Sequence, residues 1–334
     1  MGFGAASNPS DLLADARSRL LACLGSRMET AVVHISVIIP TRNRPDDLRR
    51  CLAGLTECVQ RLGSTPGVTL HELVVIDDAS TRPDALSSVY ASDLPKVVLY
   101  NRERMGAGSS RARAVSAASG DVLAFLDDDA VPRGDWLTVA GSVTEQRPAI
   151  SGRVLRFDKG LVSSARQARY DERYRSLSTG DPISFFAGGN SAILTSAFRS
   201  VGGFSRSGVG GDNSLAEALA DSGTPAQFEP ELVIAHRNGK GMRRAMLDSW
   251  SSGRDHPQPL AFPTAIQLVR AGGVGSSPAV RGFNRVLSIV HAAGRMDRRN
   301  GSSRRSSGAT SPGFAPQGKR LPDCPDIEAV VMNR

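Results

Sequence analysis

The chain alternates short, mainly apolar runs with longer segments whose apolar residues recur at helical spacing. Four runs in its first half have the length of strands: residues 35–39, 73–76, 97–100 and 122–126. Such runs, separated by helical segments, are typical of parallel strands that are buried on both faces. The pattern therefore predicts an α/β fold with a mainly parallel central sheet flanked by helices.

The two ends of the chain differ from this regular part. Apolar residues near the N-terminus recur at the spacing of a short amphipathic helix. Near the C-terminus, a segment rich in Arg, Ser, Gly and Pro predicts disorder from about residue 298. The pattern divides the chain into a helical arm at 1–34, a domain at 35–255 with halves 35–132 and 133–255, and a C-terminal extension at 256–334.

The fourth apolar run leads directly into Asp127, Asp128 and Asp129. Three adjacent carboxylates are not stable in a dry core without a compensating cation. We therefore expect them at the carboxyl end of the strand, where open α/β sheets place their ligands. Carboxylate oxygens suit Mg²⁺ or Mn²⁺, and such a cation with a bound diphosphate would relieve the repulsion between them. A solvated acidic turn is the alternative.

Polar residues also follow the first two runs, and the crevice at the strand ends should collect them. Pro40, Thr41 and Arg42 follow the first run, and Asp78 follows the second. The glycines at 106–108 partly match a dinucleotide fingerprint but lack its third glycine, and no Walker motif is present. These two common nucleotide-binding loops are therefore excluded.

Composition narrows the partners and the compartment. The 334 residues are 40% hydrophobic and carry a net charge of +8, which suits anionic partners. The basic tail has no aromatic platform for bases, so we expect no nucleic acid partner. Cys51 and Cys58 fall on the apolar side of the helix predicted after Pro45, which predicts buried free thiols. With no signal peptide and no membrane span in the pattern, we expect a cytoplasmic protein.

Taken in order, the motifs resemble those of the family 2 glycosyltransferases, which have the GT-A fold. The resemblance covers roughly residues 35–254 and rests on short segments at 37–43, 74–80, 110–113, 125–129, 188–190, 201–204, 211–212 and 236–237. It implies an inverting, metal-dependent transfer of a sugar from a nucleotide-diphospho-sugar, with UDP or dTDP favoured. The acceptor would carry a hydroxyl group, on a polysaccharide, lipid carrier, natural product or peptide. Residues 35–132 would bind the nucleotide and residues 133–255 the acceptor.

The resemblance also implies roles for the residues of the first half. Pro40, Thr41 and Arg42 would line the base and ribose. Asp78 would accept the imide N–H of uracil or thymine. Arg111 would lie near the base and diphosphate, although its neighbour Ala112 stands where the family often has Asn.

The triple aspartate contains the DxD motif of that family. Asp129 would bind Mn²⁺ or Mg²⁺ directly, and Asp127 or Asp128 would reach the ribose or a metal-bound water. His236 matches a late contact to the metal or the diphosphate. An ordinary histidine at a strand end is the alternative for His236.

The second half would supply the acceptor side. Gly188, Gly189 and Asn190 would let the backbone approach the donor sugar and the acceptor. Asp212 matches the general base, but Gly211 precedes it where the family usually has Glu. A helix-capping aspartate is the alternative for Asp212.

Other functions remain as alternatives. A nucleotidyltransferase would have a Gly-rich loop with Arg and Lys after the first strand, where this chain has Pro40-Thr41-Arg42-Asn43. A non-catalytic sugar-nucleotide-binding protein with a decayed site is the alternative that Gly211 favours. Trp136 is expected to pack in the core and not to stack on a sugar. Arg243, Arg244 and Arg254 would form a solvated face, bind an anionic acceptor or contact the inner face of a membrane.

Overall fold

The computed structural model describes residues 32–63, 67–204, 211–239, 241–254, 256, 260–305 and 330–332, with side chains for all of these except 211–213, 298–305 and 330–332. The arm predicted at 1–34 lies outside the described residues, apart from its last three. The predicted start of the domain at residue 35 falls inside the first strand.

Strands and helices alternate along the chain. The strands are β1 (Val33–Thr41), β2 (Val68–Asp77), β3 (Lys96–Tyr100), β4 (Val122–Leu126), β5 (Ala130–Pro132), β6 (Ala149–Arg156), β7 (Asn190–Leu194), β8 (Gln227–His236) and β9 (Val330–Met332). The helices are α1 (Pro45–Leu62), α2 (Ser87–Tyr90), α3 (Ala107–Val115), α4 (Trp136–Ala140), α5 (Leu161–Tyr174), α6 (Thr195–Ser200), α7 (Gly211–Asp221), α8 (Met242–Arg254), α9 (Phe262–Ala271) and α10 (Pro278–Arg305).

In the described residues, the strands form one sheet in the order β5-β8-β6-β7-β4-β1-β2-β3-β9. The neighbours β3, β2, β1 and β4 are parallel, so their carboxyl ends share one edge of the sheet. Beyond β4 the sheet is mixed, because β7 runs antiparallel to β4 and β6 while β6 is parallel to β8. The predicted α/β fold with a central sheet flanked by helices is confirmed, and its continuous parallel part is β3-β2-β1-β4.

The apolar runs of β1, β2 and β4 are buried on both faces, as predicted. The run in β3 is buried only in part, since Tyr100 is exposed. Ile35, Val37 and Ile39 of β1 pack in the core on the face of α1, whereas Ile38 packs in the core on the opposite face. Cys51 and Cys58 of α1 are buried free thiols, which confirms the prediction for both. The helices therefore hold the sheet from both sides and fix the edge at which its polar strand ends lie.

The segment after residue 255 contributes helices that sequence analysis did not predict. Phe283 and Leu287 of α10 share an apolar cluster with Val162 of α5 and Ala245 of α8. A Cβ on Gly253 of α8 would lie 2.2 Å from the carbonyl oxygen of His291 in α10, so a glycine is needed where these helices cross. Helix α10 of the predicted C-terminal extension is thus packed on the domain.

The helical backbone of α10 continues to Arg305, although composition predicted disorder from about residue 298. Apart from β9, the chain after Arg305 lies outside the described residues. The predicted boundary at 255 stays a prediction. No helix in the described ranges combines the length and apolar character that crossing a membrane requires.

Candidate active site

The loops that follow β1 and β4 meet at the carboxyl edge of the parallel strands. Thr41 Oγ1 donates a hydrogen bond of 2.9 Å to Asp128 Oδ2. Arg44 Nη1 lies 2.9 Å from both Asp128 Oδ1 and Asp129 Oδ2. Residues that are far apart in sequence therefore form one polar group, as the parallel arrangement of β1 and β4 requires.

His236 joins this group through the register of a short antiparallel pair. Ala130 of β5 lies opposite His236 of β8. As a result, His236 Nε2 lies 2.9 Å from Asp129 Oδ1 and 4.0 Å from Asp127 Oδ2. One ligand atom each from Asp127, Asp129 and His236 lies within 4.8 Å of the others. These three residues, called the Asp-Asp-His cluster below, are the set that sequence analysis assigned to the metal.

Hydrogen bonds and charge hold His236 in this cluster. Its Nδ1 lies 2.9 Å from Asn238 Oδ1, so a proton on Nδ1 donates to that oxygen and Nε2 faces the carboxylates. Burial lowers the pKa of His236, but the hydrogen bond and charge of Asp129, with the charge of Asp127, raise it overall. Both the metal-binding role of His236 and the alternative of an ordinary strand-end histidine stay predictions. Sequence analysis did not identify Asn238.

Asp127 is held from two sides. Arg111 of α3, which is almost completely buried, forms a close ion pair with Asp127 through Nη2 and Oδ1. On the other side lies Gly189, where a Cβ would stand 2.1 Å from Asp127 Oδ2. Only a glycine at 189 leaves room for the carboxylate in this position.

Asp128 differs from its two neighbours. It points towards β1, where Thr41 and Arg44 each bond to one of its oxygens. Burial raises the pKa of Asp128 to about 6; Arg44 opposes this shift and Asp129 adds to it. The predicted contact of Asp128 with a ribose or a metal-bound water stays a prediction, but both of its oxygens already have partners.

Asp78 directly follows β2, and its carboxylate is surrounded by hydrogen-bond donors. Its Oδ1 accepts from Met105 N at 2.7 Å, Asn101 Nδ2 at 2.9 Å and Ser110 Oγ at 3.2 Å. Its Oδ2 accepts from Gly106 N at 2.9 Å. Burial raises the pKa of Asp78, but these hydrogen bonds lower it overall. Asp78 is therefore a carboxylate at neutral pH, and Oδ2 has more capacity than Oδ1 to accept a ligand proton.

Asn43 joins the loops after β1 and β2. Its Oδ1 accepts from the backbone N–H groups of Thr81 at 2.8 Å and Arg82 at 3.0 Å. Its own N–H donates to Ser80 Oγ at 2.9 Å. Asn43 and Ala79 have left-handed backbones, with φ of 55° and 56°. Strained residues of this kind concentrate at functional sites.

A cavity of about 590 Å³, called the polar cavity below, opens beside these loops. It contains all the residues of the first half that were predicted to bind the nucleotide: Pro40, Thr41, Arg42, Asp78, Arg111, Asp127 and Asp128. The polar cavity is also lined by Arg44, Arg104 and Arg244. Sequence analysis gave no role to Arg44 or Arg104, and it left three alternative roles open for Arg244. The Nε atom of Arg42 is buried and has no hydrogen-bond partner among the described residues.

A second cavity of about 300 Å³, called the aromatic cavity, adjoins the polar cavity. The two cavities share Arg111, Asp127 and His236. The walls of the aromatic cavity include the predicted Gly188, Gly189 and Asn190, together with Tyr170, Tyr174, Phe185 and Phe186. No motif revealed these four aromatic residues, because α5 and the loop before β7 bring them together only in three dimensions.

The side chain of Asn190 has a structural role that sequence analysis missed. It is completely buried, and its Oδ1 accepts from Trp136 Nε1 at 2.9 Å. Its Nδ2 donates to the carbonyl oxygens of Arg153 at 3.0 Å and Leu232 at 2.8 Å. These contacts occupy its amide group. Trp136 is also completely buried, which confirms that it packs in the core.

Asp212 is the second residue of α7, and its side chain lies outside the described part of the structure. The helix predicted near Leu215 begins at Gly211, so Asp212 belongs to its first turn. Both the general-base role and the capping role stay predictions.

Comparison with known proteins identifies the family of this chain. The profile described as "Glycosyl transferase family 2" matches residues 36–202, half of the chain. The pre-mycofactocin glycosyltransferase of Mycobacterium tuberculosis is 25% identical over 258 residues, which are 72% of this chain and 50% of that protein. The uncharacterized glycosyltransferase YibD of Escherichia coli is 34% identical over 96 residues, 28% of this chain and 26% of that protein.

A solved structure is also similar. The mannosyltransferase PcManGT from Pyrobaculum calidifontis, in complex with GDP-Man and Mn²⁺, is 20% identical with a TM-score of 0.49, over 84% of this chain and 77% of that chain. The chain spans half the length of the Mycobacterium tuberculosis relative. The family profile covers β1 to β4, the triple aspartate and Gly188 to Asn190. Because this profile covers half of the chain, the chain, with its α/β fold, belongs to glycosyltransferase family 2.

Proposed function

We propose that this protein transfers a sugar from a nucleotide-diphospho-sugar to a hydroxyl group, with inversion at the anomeric carbon and with a divalent cation. The observation that carries the proposal is the Asp-Asp-His cluster, whose residues Asp127 and His236 line both cavities. A donor whose diphosphate lies in the polar cavity and whose sugar lies in the aromatic cavity would have its scissile bond at this cluster.

Arginine side chains support the binding of the diphosphate in the polar cavity. Arg42, Arg104 and Arg111 line it, and guanidinium groups bind phosphate oxygens in a bidentate way. Arg42 Nε is the clearest candidate, because a buried donor without a partner is costly unless a ligand satisfies it. Asp78 Oδ2 would accept the imide N–H of a uracil or thymine base, which favours a UDP- or dTDP-sugar.

The donor set of the cluster fits the proposed cation. Two carboxylate oxygens suit Mg²⁺ or Mn²⁺, and the imidazole nitrogen of His236 favours Mn²⁺ of the two. When bound, the cation would act as a Lewis acid for the leaving diphosphate. The protein's own part is to hold the ligands: Arg111 orients Asp127, Arg44 orients Asp129, and Asn238 orients His236.

On the acceptor side, the proposal assigns proton transfer to Asp212. Its carboxylate would take the proton of the acceptor hydroxyl while that oxygen attacks the anomeric carbon opposite the leaving diphosphate, which inverts the configuration. Tyr170, Tyr174 and Phe185 line the aromatic cavity and offer apolar faces for a sugar ring.

A panel of nucleotide sugars tests this function. We expect a UDP- or dTDP-sugar to raise the melting temperature more with Mn²⁺ than with a chelator, because a ligand of the native state stabilises it. The same donor should be hydrolysed slowly without an acceptor. Equal stabilisation with chelator, or the absence of any donor response across the panel, would contradict the proposal.

A non-catalytic nucleotide-sugar-binding protein is the second candidate. The observation that favours it is Gly211, which stands where the family usually has a glutamate before the base. Binding without turnover would identify it. The donor panel separates the two, since both bind the nucleotide sugar but only the enzyme releases the free nucleotide.

A membrane surface is a proposed peripheral partner. On α8, the apolar side chains of Met246, Leu247 and Trp250 are exposed beside Arg243 and Arg254. Apolar side chains beside arginines suit an anionic lipid surface. Co-sedimentation with vesicles containing phosphatidylglycerol should exceed that with phosphatidylcholine alone, and Trp250→Ser should reduce it. Equal sedimentation with both vesicle types would exclude the electrostatic part of this contact.

A further inference from the structure

A third cavity, of about 440 Å³, lies between α5, α8, α9 and α10 and is called the outer cavity. Its walls are Arg169, Glu172, Arg173, Ser252, Leu268, Ala271, Gly272, Val274, Ser288 and His291. No motif of the sequence falls in this cavity. Most of its wall residues lie after the segment matched by the family profile.

The outer cavity contains a half-buried cation that has no acidic partner. The guanidinium of Arg169 donates to Asn284 Oδ1 at 2.8 Å, to the carbonyl oxygen of Asn284 at 3.0 Å and to Ser288 Oγ at 3.2 Å. All three acceptors are neutral. Its Nη1 atom forms no hydrogen bond within the described residues. Burying a charge without an opposite charge is unfavourable, so Arg169 would gain from an anion.

The other charges around the cavity do not supply that anion. Glu172 is the acidic residue in its described wall, and its Oε2 pairs with Arg175 Nη2 at 2.5 Å. The nearby Asp248 pairs with Arg166 and with Arg244. The pKa of His291 is lowered, first by burial and then by the charge of Arg295; a hydrogen bond with the backbone of Ser249 opposes this shift, and the charges of His256 and Arg169 add to it.

Arg173 connects the outer cavity to the proposed active site. It lines both the outer cavity and the aromatic cavity. Its guanidinium carbon lies 4.9 Å from the centre of the Phe185 ring, which also lines the aromatic cavity. The outer cavity and the aromatic cavity therefore lie on either side of one shared side chain, that of Arg173.

We propose that the outer cavity binds an anionic group, a phosphate or a carboxylate, that the acceptor carries at a distance from its reacting hydroxyl. This inference rests on the proposed function and narrows its acceptor to anionic molecules. Arg169 and Arg173 would bind the anion, and the hydroxyl group of Ser252 would contribute a hydrogen bond. The anion would orient the acceptor without taking part in the chemical step.

The test uses inorganic phosphate and acetate as separate probes, added to the full chain with and without saturating UDP and Mn²⁺. Saturating UDP with Mn²⁺ occupies the polar cavity, so that the arginines of that cavity cannot bind the probe. Binding is followed by titration calorimetry and thermal shift for the wild type, Arg173→Gln and Arg169→Lys. Arg270→Gln is the matched control, since Arg270 is an exposed arginine of α9 outside the cavity wall.

We expect Arg173→Gln to weaken binding of the preferred probe by roughly tenfold or more, because hydrogen bonds to charged groups are strong. Arg270→Gln should leave it within about twofold, because Arg270, which is exposed like Arg173, lies outside the cavity wall and cannot bond to an anion inside it. Arg173→Gln keeps the test decisive if Arg169→Lys fails to fold, because Arg173 is exposed and its guanidinium packs over the Phe185 ring. The stronger probe identifies the anion as a phosphate or a carboxylate.

Two results would overturn the inference: no response of the wild type to either probe, or equal weakening by Arg173→Gln and Arg270→Gln. Binding of UDP with Mn²⁺ is measured in the same samples. If the wild type does not bind UDP with Mn²⁺, the result counts against the proposed function. If it binds UDP with Mn²⁺ but neither anion, only the proposal for the outer cavity is rejected.

Discussion

A Cβ atom on Gly189 would lie 2.1 Å from Oδ2 and 2.4 Å from Cγ of Asp127. Asp127 lies in the loop after β4, and Gly189 lies in the loop before β7. These two strands are antiparallel neighbours. The absence of a side chain at 189 is therefore a condition for the position of Asp127, and through Asp127 for the Asp-Asp-His cluster.

Gly189→Ala should impair the site more than the fold. The new methyl group forces the Asp127 carboxylate to rotate away from Arg111, which disrupts the cluster. We expect metal-dependent nucleotide binding to weaken at least tenfold in a titration of UDP with Mn²⁺, with a small change in melting temperature. Gly282→Ala, on the exposed face of α10 with open space around it, is the control and should leave binding unchanged. Unaltered binding in Gly189→Ala would show that Asp127 is not needed in this position.

Asp129→Asn should remove the metal dependence of nucleotide binding. Asp129 is buried and contacts both Arg44 and His236. A neutral amide is a weaker ligand for a hard cation, so the difference between UDP binding with Mn²⁺ and with chelator should shrink. Asp128→Asn is the matched control, because Asp128 contacts Thr41 and Arg44 outside the cluster. A larger loss of metal dependence in Asp128→Asn would reverse the assignment.

Asp212→Asn distinguishes a general base from a helix-stabilising residue. Loss of the carboxylate from the first turn of α7 should change stability by less than about 1 kcal/mol. Loss of a general base should lower the transfer rate by roughly 10²–10⁴-fold with unchanged affinity for UDP and Mn²⁺. Transfer at the wild-type rate would show that another residue takes the proton.

Asn190→Ala should destabilise the fold by roughly 3 kcal/mol. The substitution removes the amide that bonds to three groups: Trp136 Nε1 and the carbonyl oxygens of Arg153 and Leu232. Each buried polar group that is left unsatisfied costs about 1–3 kcal/mol. Denaturant unfolding of Asn190→Ala, Trp136→Phe and the double variant measures the coupling. Additive effects would contradict the contact between these two side chains.

Cys51 and Cys58 should resist alkylation in the native protein. Burial raises the pKa of Cys58 to about 11, and burial with the charges of Asp128, Asp127 and Asp129 raises that of Cys51 well above its usual value. At pH 8 this lowers the thiolate fraction of Cys58 roughly a hundredfold. Peptide mapping after iodoacetamide treatment, native against unfolded, measures it. Rapid native labelling of either residue would show that α1 opens readily.

Local sequence determined the parallel part of the fold and the polar residues at its edge. An apolar run of strand length favours burial wherever it lies, and three adjacent aspartates must lie where a strand leaves the core. This is why β1 to β4, the triple aspartate, Asp78 and the buried thiols could be predicted. The motif order also gave the family, because each motif is short but their spacing along the chain is restrictive.

Tertiary structure alone decided which polar groups meet. Whether Asp127 or Asp128 faces His236 depends on the backbone turn after β4 and on the register of β5 with β8, which no local pattern encodes. The same is true of Asn190, whose amide could contact a ligand or the core; the close approach of β6, β7 and β8 assigns it to the core. Arg169 and Arg173 of α5 form a cavity wall only because α10 packs against α5. These contacts are long-range, and their energies depend on burial that exists only in the folded chain.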